Sequence, residues 1–160
     1  DAFVAEMAAQ VSARLLAVAS SEDAVAGADV ITAATSSRDP VLAGEHLKPG
    51  AHISGVGSFR LDMCELDVAA VQRCDRIVVD LRESALLEAG ELVAAQSAGA
   101  TSVARWVELS ELLADPSLGR AQPEDITFFK SVGHAVQDLF AARKAIANAD
   151  QLGLGQVIEL

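Results

Sequence analysis

The chain is poor in the residues that build most metal and nucleophile sites. Its two cysteines, Cys64 and Cys74, lack C-x-x-C spacing, which excludes a paired-cysteine zinc or redox site and a disulfide framework. They are expected to be ordinary buried or half-buried thiols, since free cysteine behaves as a small hydrophobe. A reducing cytoplasm fits that usage. His46, His52 and His134 stand without metal-ligand spacing or a carboxylate at a recognisable interval, so structural roles are expected and no metal site. No serine occupies a G-x-S-x-G elbow, which leaves a hydrolytic triad unsupported. Long apolar runs are missing too: nothing approaches the roughly 18 to 20 uninterrupted apolar residues of a membrane-spanning helix. Basic residues are scarce, 12 against 23 acidic, and the net charge of −11 would repel a phosphate backbone. Neither nucleic acid nor a membrane is expected as a partner. The opening DAFVAEMAAQ has no initiating Met, basic n-region or apolar h-region, and reads as a chain already in progress.

What is present is a globular composition, 51% hydrophobic and 22% charged over 160 residues, enough for one domain with a sizeable core. Runs rich in Val, Ile and Ala read as strands at 15–20, 29–35, 52–57, 76–80 and 126–131. They are nearly continuous apolar runs, the pattern of parallel strands covered by helices on both faces. Helical patterns fill the intervals at about 1–14, 21–28, 66–74, 82–97 and 108–114. Pro49-Gly50 turns into the strand at 52, and Pro116, Gly119 and Pro123 mark a loop before the strand at 126. The alternation predicts an α/β fold with a mainly parallel sheet. A last amphipathic helix is expected from Ser131, as its cap, to about 149, with Val132, Val136, Leu139 and Phe140 forming an apolar stripe. Gly153 and Gly155 flank a break, and QVIEL at the end reads as a short strand.

In doubly wound sheets a ligand lies beyond the carboxyl ends of the strands, so the residues after each apolar run carry the information. Thr35-Ser36-Ser37 follows the run at 29–35; it is either a plain polar turn or a set of hydroxyls for ribose or phosphate oxygens. Gly55 and Gly57 end the run at 52–57, as a tight bend or as a place where backbone approaches a flat ring closely. Lys130-Ser131-Val132-Gly133 leads into the last helix, where Ser131 serves as a cap, a ligand contact or both.

Three segments in order, GADVITAATSSRDPVL (27–42), LKPGAHISGVGSFRLDMCEL (47–66) and ITFFKSVGHAVQDLFAARKA (126–145), resemble the ornithine cyclodeaminase and mu-crystallin family. The resemblance implies a Rossmann-type doubly wound domain lacking its first βα unit over 1–130. It also implies a C-terminal helix and tail, 131–160, returning to a substrate and dimerisation domain, and a homodimer when intact. NAD or NADP is the implied cofactor, and no G-x-G-x-x-G phosphate loop precedes residue 20. Carried over by residue, Thr35 matches a threonine that contacts the dinucleotide, Ile53, Ser54, Gly55 and Val56 match the strand end beside the nicotinamide, and Ser131 matches a cofactor-contacting serine.

One departure bears on the chemistry. Ornithine cyclodeaminases and related alanine dehydrogenases usually carry a catalytic aspartate two residues after the V-G pair, whereas Ser58 and Phe59 follow Val56-Gly57 here. Phenylalanine is neither acid nor base. The stretch Arg60 to Leu66 is instead similar to ketimine reductases of the mu-crystallin type and cyclic-imine reductases. The resemblance thus implies hydride transfer from NAD(P)H to the C=N carbon of a small imino acid. The alternatives are ornithine cyclodeaminase or alanine dehydrogenase activity, or a mu-crystallin-like binding protein without turnover. Asp62 and Glu65 are expected to be solvated or structural, and the catalytic residues stay unassigned.

Overall fold

The computed structural model describes residues 2–156 and 158. In chain order the helices are α1 (Ala2–Met7), α2 (Ser21–Val25), α3 (Val68–Arg73), α4 (Arg82–Glu88), α5 (Gly90–Ser97), α6 (Leu109–Ala114) and α7 (Ala135–Leu152). The strands are β1 (Val30–Ala33), β2 (His52–Gly55), β3 (Arg76–Val79), β4 (Trp106–Glu108) and β5 (Thr127–Lys130). They form one sheet in the order β1-β2-β5-β3-β4, with every pairing parallel. The last strand in sequence thus lies at the centre, which aligns the exits of β1, β2, β5 and β3 along one rim.

The core lies on one face of the sheet. Ile31, Ile53, Phe128, Ile77 and Val79 point there and pack against Ala70 and Val71 of α3 and Leu92 and Ala95 of α5. On the other face α6 covers only the β3–β4 side, and a cavity of about 340 Å³ lies between its Leu109 and Leu112 and the sheet residues Val78 and Phe129. Coverage on both faces therefore holds for β3 alone, whose last three residues are all buried. In β1 burial alternates strictly, leaving Val30 and Thr32 exposed, because no described element packs over them.

Several expectations need correction. The run at 15–20 forms no strand: its residues pair with no other strand, and the outer edge of β1 stays open among the described residues. The helix expected over 1–14 stops at Met7, and none of its residues is buried; so short a helix gains nothing from packing. The helical stretch 82–97 is two helices joined at Ala89. At the start of the second, a Cβ on Gly90 would collide with the carbonyl oxygens of Met63 and Leu61, so the break admits the 60–63 loop. Trp106–Glu108, unanticipated, is a strand with a fully buried Trp106, whose indole N–H donates to Thr101 Oγ1 at 3.2 Å.

The last helix begins at Ala135 rather than Ser131, and its cap is His134, whose Nδ1 accepts the amide of Val136 at 3.2 Å. Gly133, at φ +84°, turns the chain just before it. Gly153 closes the helix in the left-handed conformation. The short strand expected over 156–160 falls largely outside the described residues.

Candidate functional site

Residues at the carboxyl rim converge as the strand-end rule requires. The amide of Val56 donates to Ala33 O at 2.9 Å, and that of Ser131 donates to Gly55 O at 3.0 Å. Thr35, Val56 and Ser131, at the exits of β1, β2 and β5, thus stand side by side across three adjacent strands. Thr35 is exposed, and Val56 keeps 45% of its surface. Ile53 and Gly55 point into the core, where Ile53 is completely buried and a Cβ on Gly55 would strike the Phe128 ring. Ser54 faces the opposite side, its hydroxyl 3.2 Å from His52 Nε2. His52 Nδ1 in turn lies 2.8 Å from Thr127 Oγ1, and burial together with the nearby Arg120 charge depresses the imidazole pKa.

Beneath the rim lies a buried polar cluster. Lys130, at the tip of β5, places its ammonium 2.6 Å from both the carbonyl oxygen and the hydroxyl of Ser58. The same hydroxyl donates to Glu91 Oε2 at 2.6 Å, and Glu91 Oε1 lies 2.9 Å from the ammonium. That last contact is electrostatic, off the direction of a hydrogen bond, so Oε1 has an ion-pair partner but no aligned donor. Glu65, also fully buried, receives the amides of Thr35 (2.5 Å), Gly57 (2.9 Å) and Ser58 (3.3 Å). A Cβ on Gly57 would collide with the Thr35 backbone and the Glu65 carboxylate, so glycine alone permits this approach.

At the exit of β3, Asp80 accepts the amides of Val132 (3.0 Å) and Gly133 (3.1 Å) and the side-chain amide of Gln137 (3.2 Å). These bonds hold the segment between β5 and α7 in an extended path, and they explain why Ser131 lies outside the helix. Its hydroxyl instead accepts from Gly133 N at 3.3 Å.

Asp80 and Glu91 were not singled out by the sequence, and Ser58 and Lys130 were named only as neighbours of the expected site without a role, although Asp80 ends the run RIVVD and obeys the strand-end rule. Nothing local distinguishes Glu91 from a solvated helix residue. Phe59, where a catalytic acid was sought, lies half exposed at the rim, 51% accessible. The cysteines are free; burial pushes the Cys64 thiol up to about 11 and that of Cys74 to about 12. Among the described residues no group of His, Cys, Asp or Glu is arranged to hold a metal, and no helix is long and apolar enough to cross a membrane.

A parallel sheet whose strand exits gather hydroxyls, glycines and an apolar side chain along one rim defines a Rossmann-type α/β domain. The model of the ornithine cyclodeaminase/mu-crystallin family matches residues 1–151, and the chain belongs to that family. It is 37% identical over 142 residues to the Delta(1)-pyrroline-2-carboxylate reductase of Bacillus cereus, covering 88% of this chain and 43% of that protein. It is 43% identical over 122 residues to the ketimine reductase mu-crystallin of Mus musculus, covering 76% and 36%. The fold superposes with a TM-score of 0.91 on Thermococcus litoralis Delta(1)-pyrroline-2-carboxylate reductase in complex with NADH and L-proline, at 32% identity over 98% of this chain and 49% of that one. The chain thus spans less than half the length of these relatives.

Proposed function

We propose that the full-length protein containing this chain reduces the C=N bond of a small, preformed imino acid with NAD(P)H, a cyclic ketimine carboxylate being the best fit. The observation that carries this reading is the convergence of Thr35, Val56 and Ser131 on one rim of a parallel sheet. Relatives that are pyrroline-2-carboxylate and ketimine reductases support it.

The rim fits a dinucleotide. Thr35 and Ser131 supply hydroxyls for ribose or amide oxygens. The backbone of 53–56 with the exposed Val56 side chain offers a flat apolar rest, and the missing Cβ of Gly57 keeps the turn low. When bound, the cofactor supplies the hydride. This chain's residues orient it, and the buried Glu65 and Lys130 keep the turn fixed during the reaction. Phe59 carries no proton and adds apolar surface beside the rim, which suits a substrate that arrives as a protonated imine.

In this reading residues 131–160 belong to a substrate and dimerisation part of a cytoplasmic homodimer. Support comes from α7, which buries none of its residues here and leaves Val136, Leu139, Phe140 and Ile146 exposed. The test is oxidation of NADH or NADPH, followed at 340 nm, by full-length protein with a five- or six-membered cyclic imino acid. Turnover is expected; quenching of cofactor fluorescence without turnover would overturn the enzymatic reading.

A further inference from the structure

Glu65 joins two loops that the chain sequence separates. Its carbonyl oxygen accepts the amides of Val41 (3.0 Å) and Leu42 (2.9 Å), while the neighbouring Cys64 amide donates to Ser37 O at 2.9 Å. The segment 64–66 is thereby stitched along the loop that leaves β1. From that anchored backbone the side chain reaches into the rim and divides its oxygens. Oε1 takes the amide of Thr35, on the β1 exit, and Oε2 takes those of Gly57 and Ser58, on the β2 exit. Every group facing the carboxylate in these bonds is a donor, a demand that an acceptor-only ionised carboxylate meets and an amide does not. The β2 turn is held from its other side as well, since Lys130 binds the Ser58 carbonyl.

We propose that Glu65 is a positioning residue: its carboxylate holds the Thr35 and Gly57-Ser58 loops against each other, and so sets the shape of the rim on which the nicotinamide end of the dinucleotide rests. This rests on the cofactor reading above. Glu65 touches no substrate; it acts through the two backbone segments it holds.

Glu65→Gln tests this in the full-length protein, because the substitution keeps shape but turns one acceptor into a donor facing an N–H. NADH and 5′-AMP, which lacks the nicotinamide and its ribose, are titrated against wild type and variant. NADH binding is expected to weaken roughly tenfold or more, the scale of one donor left without its acceptor, with 5′-AMP binding unchanged. Equal affinity of both proteins for NADH, or equal weakening for both ligands, would overturn the positioning role. If Glu65→Gln fails to fold, amide exchange in the wild type decides: Thr35, Gly57 and Ser58 must be slow without ligand, and exchange at open-loop rates would overturn the proposal. Wild-type protein that binds neither ligand would instead overturn the cofactor reading, a failure seen before any substitution is made.

Discussion

Lys130 and Glu91 form an ion pair of 2.9 Å in which neither side chain keeps any exposure to solvent. The pair joins the central strand to the start of α5, and the Ser58 hydroxyl bridges it. Removing one partner strands a buried charge, which costs about 3–5 kcal/mol, whereas exchanging both for apolar residues of similar volume is often close to neutral. Lys130→Met and Glu91→Leu should each lower the urea midpoint strongly, and the double variant should recover much of the loss. A double variant as unstable as the sum of the two singles would show that the residues act independently.

Asp80 predicts a smaller, local effect. Asp80→Ala removes the acceptor for the amides of Val132 and Gly133 and for Gln137, groups that are partly open to water. The expected loss is about 1 kcal/mol. Hydrogen exchange should quicken at 132–133 while Phe128 and Ile77 stay protected. Uniform quickening would place Asp80 in the global core instead.

Gly57→Ala should disrupt the rim, because the added methyl meets the Thr35 backbone, which cannot swing aside, as well as the Glu65 carboxylate. Overpacking of this kind costs about 1–3 kcal/mol. Thermal melting should show the loss, and Gly99→Ala serves as a contrast: no atom crowds a Cβ there, and the φ of +74° alone opposes it. An unchanged melting temperature for Gly57→Ala would contradict the close approach.

Alkaline stability should depend on Cys74. Burial raises its thiol from 9.0 to about 12, with the nearby Asp75 charge adding to the effect. The unfolded chain therefore releases this proton first as pH rises. The thiol's contribution is complete below pH 9 and is lost progressively toward pH 12. Cys74→Ala should flatten the fall in unfolding free energy between pH 9 and 11 relative to wild type, although it is less stable at neutral pH. Parallel curves for the two proteins would remove Cys74 as the cause.

Phe59 predicts the reaction's direction. Ornithine cyclisation needs proton transfers after amine oxidation, and Phe59 offers neither proton nor charge at the rim. Full-length protein should reduce cyclic imino acids and release little ammonia from ornithine. Efficient conversion of ornithine to proline would reverse the assignment.

The amino-acid sequence by itself determined the alternation of elements, four of the five strands and the rim positions of Thr35, Val56 and Ser131. Apolar runs and turn residues are local properties, and in a parallel sheet the strand ends follow from them. Tertiary structure alone decided what depends on neighbours distant in the chain. The run at 15–20 is as apolar as the true strands yet pairs with no neighbour, while the short Trp106–Glu108 becomes a strand by pairing with β3. Glu65, Glu91 and Lys130 have the composition of surface residues; the burial of Glu65 follows from the β1 and β2 exits closing on it, and that of Glu91 and Lys130 from β5 entering the sheet between β2 and β3. That insertion carries Lys130 to Ser58, 72 residues away in sequence, and a charge can be buried only where such a partner waits.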